Sequence, residues 1–291
     1  MLRMSRVCLP MALAAALALA GCGGSSGSGQ NESTGQASTT ASSAGTVSPP
    51  AIAASSPVPG DHARTERYRI DIDYPRLPVS DAVLDRTLRK TGNEAKHEFM
   101  QSLPDPKQLP EFAHRQLQLK VDFSVASRMP RFVSIRERGM ADTGGAHPIP
   151  IDGSFVYDAR AGKLITLDDL FVDPDQARRR LADMARKTLE KKLLANVPGG
   201  SKTSAKVRKE WIDNMRSMIE GGTQPTQQNF SEFVVLAGAG DKASGLQLIF
   251  SPYQVAPYVY GSQTVDVPVD VFADLLKPGY RNAFDVDDAG Q

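Results

Sequence analysis

The sequence predicts an α+β fold in which antiparallel sheets pack against helices as one or two small subdomains. Apolar residues alternate with polar ones, as in strands, in both halves of the chain, and segments with apolar residues at helical spacing lie between them. Strands and helices do not follow one another as regular βα units. A doubly wound parallel sheet is therefore not expected.

The first half of the folded region predicts a sheet crossed by one helix. A strand is expected at Tyr68–Ile72, where apolar and charged residues alternate. Ser80 is a candidate N-cap for a helix that ends at Leu103-Pro104. A hairpin follows over residues 117–137, and a third strand is expected at Gly153–Tyr157. We expect these strands to form an antiparallel sheet.

The second half predicts two long helices followed by short strands. The helices run from Pro174 to about Asn196 and from Ser204 to Glu220. Three strands and a final helix complete the prediction, at Phe233–Ala237, Leu246–Phe250, Thr264–Val267 and Asp270–Leu276.

The N-terminus has the features of an export signal. Two arginines precede an apolar run over Val7–Ala20, which is too short for a transmembrane helix of about 20 residues. Leu19-Ala20-Gly21-Cys22 matches a lipobox, so residues 1–21 are expected to be a signal peptide and Cys22 to carry the acyl chains, such as palmitate, that anchor the chain. The alternative is an ordinary secretory cleavage site. In a Gram-negative host, Gly23 favours the periplasmic face of the outer membrane.

Composition divides the mature chain into a tether, a folded region and a C-terminal tail. Residues 22–62 are interpreted as a lipidated, disordered tether, because Gly, Ser, Thr, Ala and Pro dominate and Glu32 is the only charge from Gly23 to Gly60. This tether includes His62. The folded region is divided into residues 63–165 and 166–281, and residues 282–291 are predicted to be a polar tail.

Several function classes are disfavoured by composition. One of the two cysteines, Cys8, leaves with the signal and the other is the lipidation site, which excludes thiol catalysis and cysteine metal sites. The formal net charge of +1 provides no broad positive potential that would attract nucleic acid. The four histidines lack metal-ligand spacing, and no nucleotide-binding or serine-hydrolase motif is present. We expect no cofactor, no metal and no enzymatic activity.

Two segments are candidates for ligand binding. In Thr143–Pro148, Gly144 and Gly145 precede a titratable ring, His147, between two predicted strands. A simple β-turn is the alternative. The second segment is Tyr-rich, and tyrosine on a loop favours recognition because a large ring loses little rotamer freedom. Its candidate contact residues are Tyr253, Pro257, Tyr258, Tyr260 and Gly261, and core packing at a strand corner is the alternative.

The order of these short motifs resembles a known family. TGGAHP is followed by a strand ending at Phe155–Asp158, then by Gly162-Lys163, by LDDLF and by YQVAPYVYG. This order resembles the extracellular module of the anti-sigma-V factor RsiV, which also forms the N-terminal region of the peptidoglycan deacetylase PdaC. The resemblance covers about Arg67–Leu276, with residues 63–165 similar to the N-terminal part of the PdaC module and 166–281 to the C-terminal part of RsiV.

The resemblance implies an envelope-facing binding domain, since the anti-sigma member binds lysozyme. The sequence has neither the transmembrane helix of an anti-sigma factor nor the metal-binding motifs of a deacetylase. We therefore expect a non-enzymatic lipoprotein that binds a protein, such as a lysozyme-like enzyme, or a peptidoglycan fragment. One alternative is a cell-wall hydrolase with His147 as base and Asp152 or Asp158 as its partner. Another is a purely structural envelope lipoprotein.

Overall fold

The computed structural model describes residues 58–105, 107, 115–195 and 203–286. The predicted signal peptide, Cys22, most of the tether and residues 287–291 lie outside these ranges. All the described residues belong to one compact unit. Within them, no helix is long and apolar enough to cross a bilayer.

The first half forms a six-stranded sheet. Its strands, in spatial and chain order, are β1 (Val58–Arg64), β2 (Tyr68–Tyr74), β3 (Leu117–Arg128), β4 (Phe132–Asp142), β5 (Ile149–Asp158) and β6 (Lys163–Ile165). All neighbouring pairs are antiparallel except β2 and β3, which are parallel. Their parallel pairing requires a crossover, and helix α1 (Ala82–Ser102) supplies it. The expectation of a wholly antiparallel first sheet was therefore wrong at this pair.

The second half contains two long helices and a three-stranded antiparallel sheet. The helices are α2 (Pro174–Leu194) and α3 (Ala205–Gly222), and the strands are β7 (Phe233–Ala237), β8 (Ala243–Phe250) and β9 (Gln263–Pro268), in that spatial order. Asp173 and Ser204 are the N-caps of α2 and α3, because each side chain accepts a backbone N–H from the first helical turn. A single helical turn, α4 (Pro278–Arg281), follows β9. The predicted α+β class is confirmed.

Each face of the six-stranded sheet belongs to a different hydrophobic cluster. Helix α1 packs on one face, where Leu84 and Leu88 meet strand residues such as Leu119. The opposite face contributes Phe132 and Val156 to the larger cluster of the second half. The residues after Phe132 alternate between the two faces because successive strand side chains point to opposite sides. Both halves of the chain therefore share the central sheet.

Serine side chains hydrogen-bond the edge of β7 that does not pair with β8. Ser154 Oγ accepts the backbone N–H of Phe233 at 2.9 Å, and Ser134 Oγ accepts that of Val235 at 3.0 Å. Ser127 Oγ donates to the carbonyl of Val235. All three serines are buried, so these bonds satisfy strand-edge groups that water cannot reach.

Four predicted boundaries need correction. Residues 58–62, including His62, form part of β1 rather than of the tether. Ser80 is not the N-cap of α1, since Asp81 occupies that position without a side-chain cap hydrogen bond. The expected helix at 270–276 consists of separate 3-10 turns, and the helical turn lies later, at α4. Phe284, assigned to a polar tail, is fully buried.

Candidate functional site

The tip of the β4–β5 hairpin carries the first predicted segment. Gly144 has a φ of +94°, a conformation that glycine adopts readily, and its N–H donates to Asp142 Oδ1 at 3.1 Å. Arg115 pairs with the same carboxylate at 2.7 Å, which neutralises it. The turn therefore holds His147 at the exposed end of the hairpin.

The second segment lies between β8 and β9. Tyr253 has a φ of +72°, and it is the only non-glycine residue with positive φ in the described part of the chain. Such a conformation costs a bulky residue on the order of 1 to 3 kcal/mol and persists only where its surroundings enforce it. The Tyr253 side chain is nevertheless 52% exposed. The surroundings that enforce this strained conformation therefore also hold an exposed ring in position, as is common at functional sites.

Gln254 fixes the strained segment to its surroundings. Its Nε2 donates to the carbonyls of Gly222 and Asn229, at 3.1 and 3.0 Å, and its Oε1 accepts the N–H of Ser251 at 3.3 Å. Gly222, at the end of α3, has no room for a side chain, since a Cβ there would lie 2.7 Å from Val255 Cγ1. The loop backbone therefore packs directly on the helix end.

The two segments meet in an aromatic cluster formed by His147, Tyr253 and Tyr258. The Tyr253 hydroxyl lies 3.0 Å from His147 Nε2. The rings of His147 and Tyr258 stack at a centroid distance of 4.5 Å, and those of Tyr253 and Tyr258 lie 5.6 Å apart. Tyr258 Oη donates to the carbonyl of Pro148 at 3.4 Å. Residues from two distant segments thus form one surface feature.

The other predicted contact residues lie around this cluster rather than in it. Pro257 precedes the 3-10 turn Tyr258–Tyr260, and Gly261 ends that turn with a φ of +62°. The Tyr260 ring packs against the larger hydrophobic core, as the core-packing alternative expected. Gly145 has no tight neighbours, since a Cβ there would come no closer than 3.8 Å to the His147 carbonyl.

The structure does not form the His–Asp pair that the hydrolase alternative requires. His147 Nδ1 lies 3.1 Å from the Pro148 carbonyl rather than near a carboxylate. Asp158 is buried and binds Arg131 and two backbone N–H groups. The side chain of Asp152 is paired with the buried Arg136. Neither aspartate is a hydrogen-bond partner of His147.

A buried charged network that the sequence did not predict lies between the two halves. Burial lowers the pKa of the Arg136 guanidinium, and the neighbouring Asp152 carboxylate opposes this shift. Ser154 Oγ donates to Glu232 Oε2 at 2.9 Å across the same interface. Charged residues on a strand usually indicate a solvent face, so no sequence signal pointed to their burial. Within the described ranges, no group of His, Cys, Asp and Glu side chains suits a metal ion.

Comparison with known proteins supports the predicted relationship. Residues 168–270 match a family described as a protein of unknown function, DUF3298, and this range includes the Tyr-rich loop. Over 213 residues the chain is 23% identical to the peptidoglycan-N-acetylmuramic acid deacetylase PdaC of Bacillus subtilis (strain 168). The alignment covers 73% of this chain but only 40% of that protein, so the chain spans less than half of its relative. The predicted resemblance to the RsiV/PdaC family is confirmed.

Two solved structures are similar to this chain. A DUF3298 family protein from Pseudomonas aeruginosa PAO1 is 19% identical, with a TM-score of 0.48, covering 79% of this chain and 97% of that one. A DUF3298 family member from Bacteroides fragilis NCTC 9343 is 17% identical, with a TM-score of 0.47, covering 73% and 85%.

Proposed function

We propose that this chain is a non-enzymatic lipoprotein of the cell envelope that binds a protein or a peptidoglycan-related ligand at its aromatic cluster. The observation that carries the proposal is the contact between His147 and the two tyrosines, which joins two loops around a strained, exposed side chain. Aromatic rings held rigidly at a surface are typical anchors for ligands. The relative named as a peptidoglycan deacetylase supports a ligand from the cell wall.

Calorimetry on the mature chain, titrated with muropeptides and with lysozyme, tests this proposal. We expect at least one ligand class to bind, and His147→Ala and Tyr258→Ala to weaken that binding. His97→Ala is the matched control, because His97 is also an exposed histidine. It lies on α1, which packs with the smaller hydrophobic cluster rather than with the larger one. No heat of binding with either class would contradict the proposal, as would equal affinities of the wild type and both cluster variants.

A substitution at Tyr253 separates binding from folding. Asparagine tolerates positive φ better than tyrosine does, so Tyr253→Asn relieves strain while it removes the ring. The relief offsets the loss of a ring contact worth about 0.5 to 1.5 kcal/mol. We expect the free energy of unfolding to change by less than about 1 kcal/mol while binding is lost. Tighter or unchanged binding by this variant would exclude Tyr253 from the site.

Lipidation at Cys22 rests on the lipobox and has its own test. We expect the chain to incorporate a palmitate analogue in cells and to fractionate with outer membranes. Cys22→Ser should lose the label and release the protein in soluble form, because several acyl chains are needed for stable anchoring. Labelling of the Cys22→Ser variant, or release of the wild-type protein, would contradict the proposed anchor.

A further inference from the structure

Strand β5 has one edge that is only partly paired. Strand β4 pairs with β5 along its whole length, whereas β6 pairs only with Val156–Asp158 on the other side. Among the described residues, no strand lies on that other side of residues 149–155, which we call the β5 edge. At about 3.3 Å per residue, the β5 edge is about 20 Å long. It therefore has room for a further short strand.

Pro150 shows which main-chain groups face the β5 edge. It lies opposite Met140 in the β4–β5 ladder, and because proline has no N–H, its nitrogen fits there pointing away from β4. Main-chain groups alternate between the two sides of an antiparallel strand, so those of Asp152 point the same way. The same register continues to Val156 and Asp158, which pair with β6. The β5 edge therefore presents the carbonyl of Pro150 and both the N–H and the carbonyl of Asp152.

The main chain of Asp152 is accessible to solvent and firmly held. Its side chain is paired with Arg136 and is only 4% exposed, yet the residue as a whole is half-buried rather than buried. The exposed surface of Asp152 therefore belongs to its main chain. No other described residue provides a backbone hydrogen bond to the outer side of this main chain. An added strand would meet an edge that is already in position.

The aromatic cluster stands at one end of the β5 edge, and β6 closes the other end. Tyr258 Oη donates to the carbonyl of Pro148, the residue directly before β5. Val259, next to Tyr258 in the chain, is 84% exposed, and Ile149, the first residue of β5, is 40% exposed. The cluster end of the β5 edge therefore offers apolar side chains beside the main-chain groups.

We infer that the β5 edge, beside the aromatic cluster, binds an extended polypeptide segment of a partner protein as a further antiparallel strand. This inference rests on the proposed function and names the kind of partner. Outward N–H and C=O groups of a strand are best complemented by another extended main chain. An apolar side chain of the segment would contact Ile149 and the cluster, so ring contacts and main-chain hydrogen bonds act together.

Two other occupants fit this edge less well. A second copy of the chain that paired through the same edge would bring its own Pro150, so hydrogen bonds would be missing on both strands. The predicted tether precedes β1, which lies at the opposite edge of the sheet. It is also rich in glycine and alanine, which are depleted in strands. A partner segment with β-branched residues has neither disadvantage.

Hydrogen exchange followed by nuclear magnetic resonance on the mature chain in detergent tests the inference. The probe is a capped hexapeptide of alternating valine and threonine. At saturation it should slow exchange of the Asp152 N–H by about tenfold or more. The N–H of Ile151, opposite Gly139 in the ladder, faces β4 and should exchange at an unchanged rate.

Two N-methylated peptides test the strand geometry. One is methylated at its valines and the other at its threonines. Because an added strand directs only every second N–H at its neighbour, one derivative should bind about tenfold more weakly and the other within about threefold of the parent.

Variants of the chain locate the bound peptide. Tyr258→Ala and Ile149→Glu should each weaken peptide binding about fivefold or more. Val79→Glu is the control, because Val79 is 94% exposed and lies in the turn before α1. This control should leave the affinity unchanged.

Several outcomes would overturn the inference. These are no binding of the peptide, equal affinities of the two methylated derivatives, and unchanged exchange at Asp152 with peptide bound. Protection of Asp152 in the free chain would assign the edge to a second copy if the chain sediments as a dimer, and to its own tether if it sediments as a monomer.

The same measurements separate the inference from the proposed function. If muropeptides or lysozyme bind in a Tyr258-dependent manner and the peptide does not protect Asp152, the inference is overturned while the proposed function stands. If the peptide protects Asp152 equally in the wild type and in Tyr258→Ala, the strand addition is confirmed and the role of the aromatic cluster is contradicted.

Discussion

Replacing Gly222 by alanine should disturb the loop that carries Tyr253. Gly222 is the last residue of α3, and an added Cβ would lie 2.7 Å from Val255 Cγ1 and closer still to the carbonyl oxygen of Gln254. Real Cβ atoms do not approach other heavy atoms so closely. Because the obstructing oxygen belongs to the backbone, no side-chain rotation relieves the clash. The whole loop must move.

The neighbouring glycine provides a matched control. A Cβ at Gly221 meets nothing within 4 Å, and the residue is in the same helix. Gly221→Ala should therefore stabilise the fold by about 0.4 to 1 kcal/mol, because alanine loses less backbone entropy on folding. Gly222→Ala should destabilise it by about 1 to 3 kcal/mol, the usual cost of overpacking.

Thermal unfolding followed by circular dichroism measures both effects. For a folded region of this size, each kcal/mol shifts the midpoint by roughly 2 to 4 °C. The midpoint should rise for Gly221→Ala and fall for Gly222→Ala, and the latter should also weaken ligand binding. A Gly222→Ala variant as stable as Gly221→Ala would refute the proposed packing of the loop on α3.

Three further predictions concern the supporting structure. Ser134→Ala should lower the free energy of unfolding in urea by about 1 to 3 kcal/mol, because the buried N–H of Val235 loses its acceptor. Asp152→Ala should lower it by about 3 kcal/mol, since it removes the carboxylate that bonds the buried Arg136 guanidinium and leaves only the charge of Glu232 to oppose it. Burial raises the pKa of Asp169, but hydrogen bonds from Thr166 outweigh it and hold the pKa below 3.8. The contribution of ionised Asp169 to the free energy of unfolding is therefore present above about pH 5 and is lost as the pH falls below about 4. Asp169→Asn should reduce this loss of stability in acid.

Exposed residues serve as controls for these substitutions. Ser244→Ala removes an exposed hydrogen bond, and Asp213→Ala removes an exposed ion pair on α3, so each should change stability by less than about 1 kcal/mol. If Ser134→Ala or Asp152→Ala lowered the free energy of unfolding no more than these controls do, the argument from burial would be contradicted. An unchanged pH profile of Asp169→Asn would contradict the assigned pKa direction.

Strands with a distinct apolar pattern could be predicted from the sequence, whereas strands set by pairing could not. Phe233–Ala237 was predicted with the bounds that the structure has, because its apolar run is bordered by polar residues. Strand β1 was missed, since Val58–Arg64 shows no alternation and becomes a strand by pairing with β2. Tertiary context commonly decides strand formation in this way. Phe284 was missed for the same reason, because contacts with residues distant in the chain, including two aromatic rings, bury it.

The candidate site was predicted as two separate segments, and their contact was not. Residue types identified His147 and the tyrosines, but 106 positions separate His147 from Tyr253 in the chain. No single-sequence pattern reports such a contact. Gln254 and Gly222, which hold the loop in place, were missed because one partly buried glutamine and one close-packed glycine carry no periodic signal.

Nuclear magnetic resonance of the histidine and tyrosine rings tests the central claim most directly, which is that the aromatic cluster is the ligand site. Muropeptides and lysozyme would each be titrated into the labelled mature chain. The account predicts that the ring signals of His147, Tyr253 and Tyr258 shift together, while those of His97 and Tyr68 stay unchanged. Shifts confined to His97 or Tyr68, or no shift at the three cluster rings with a ligand that binds, would contradict it.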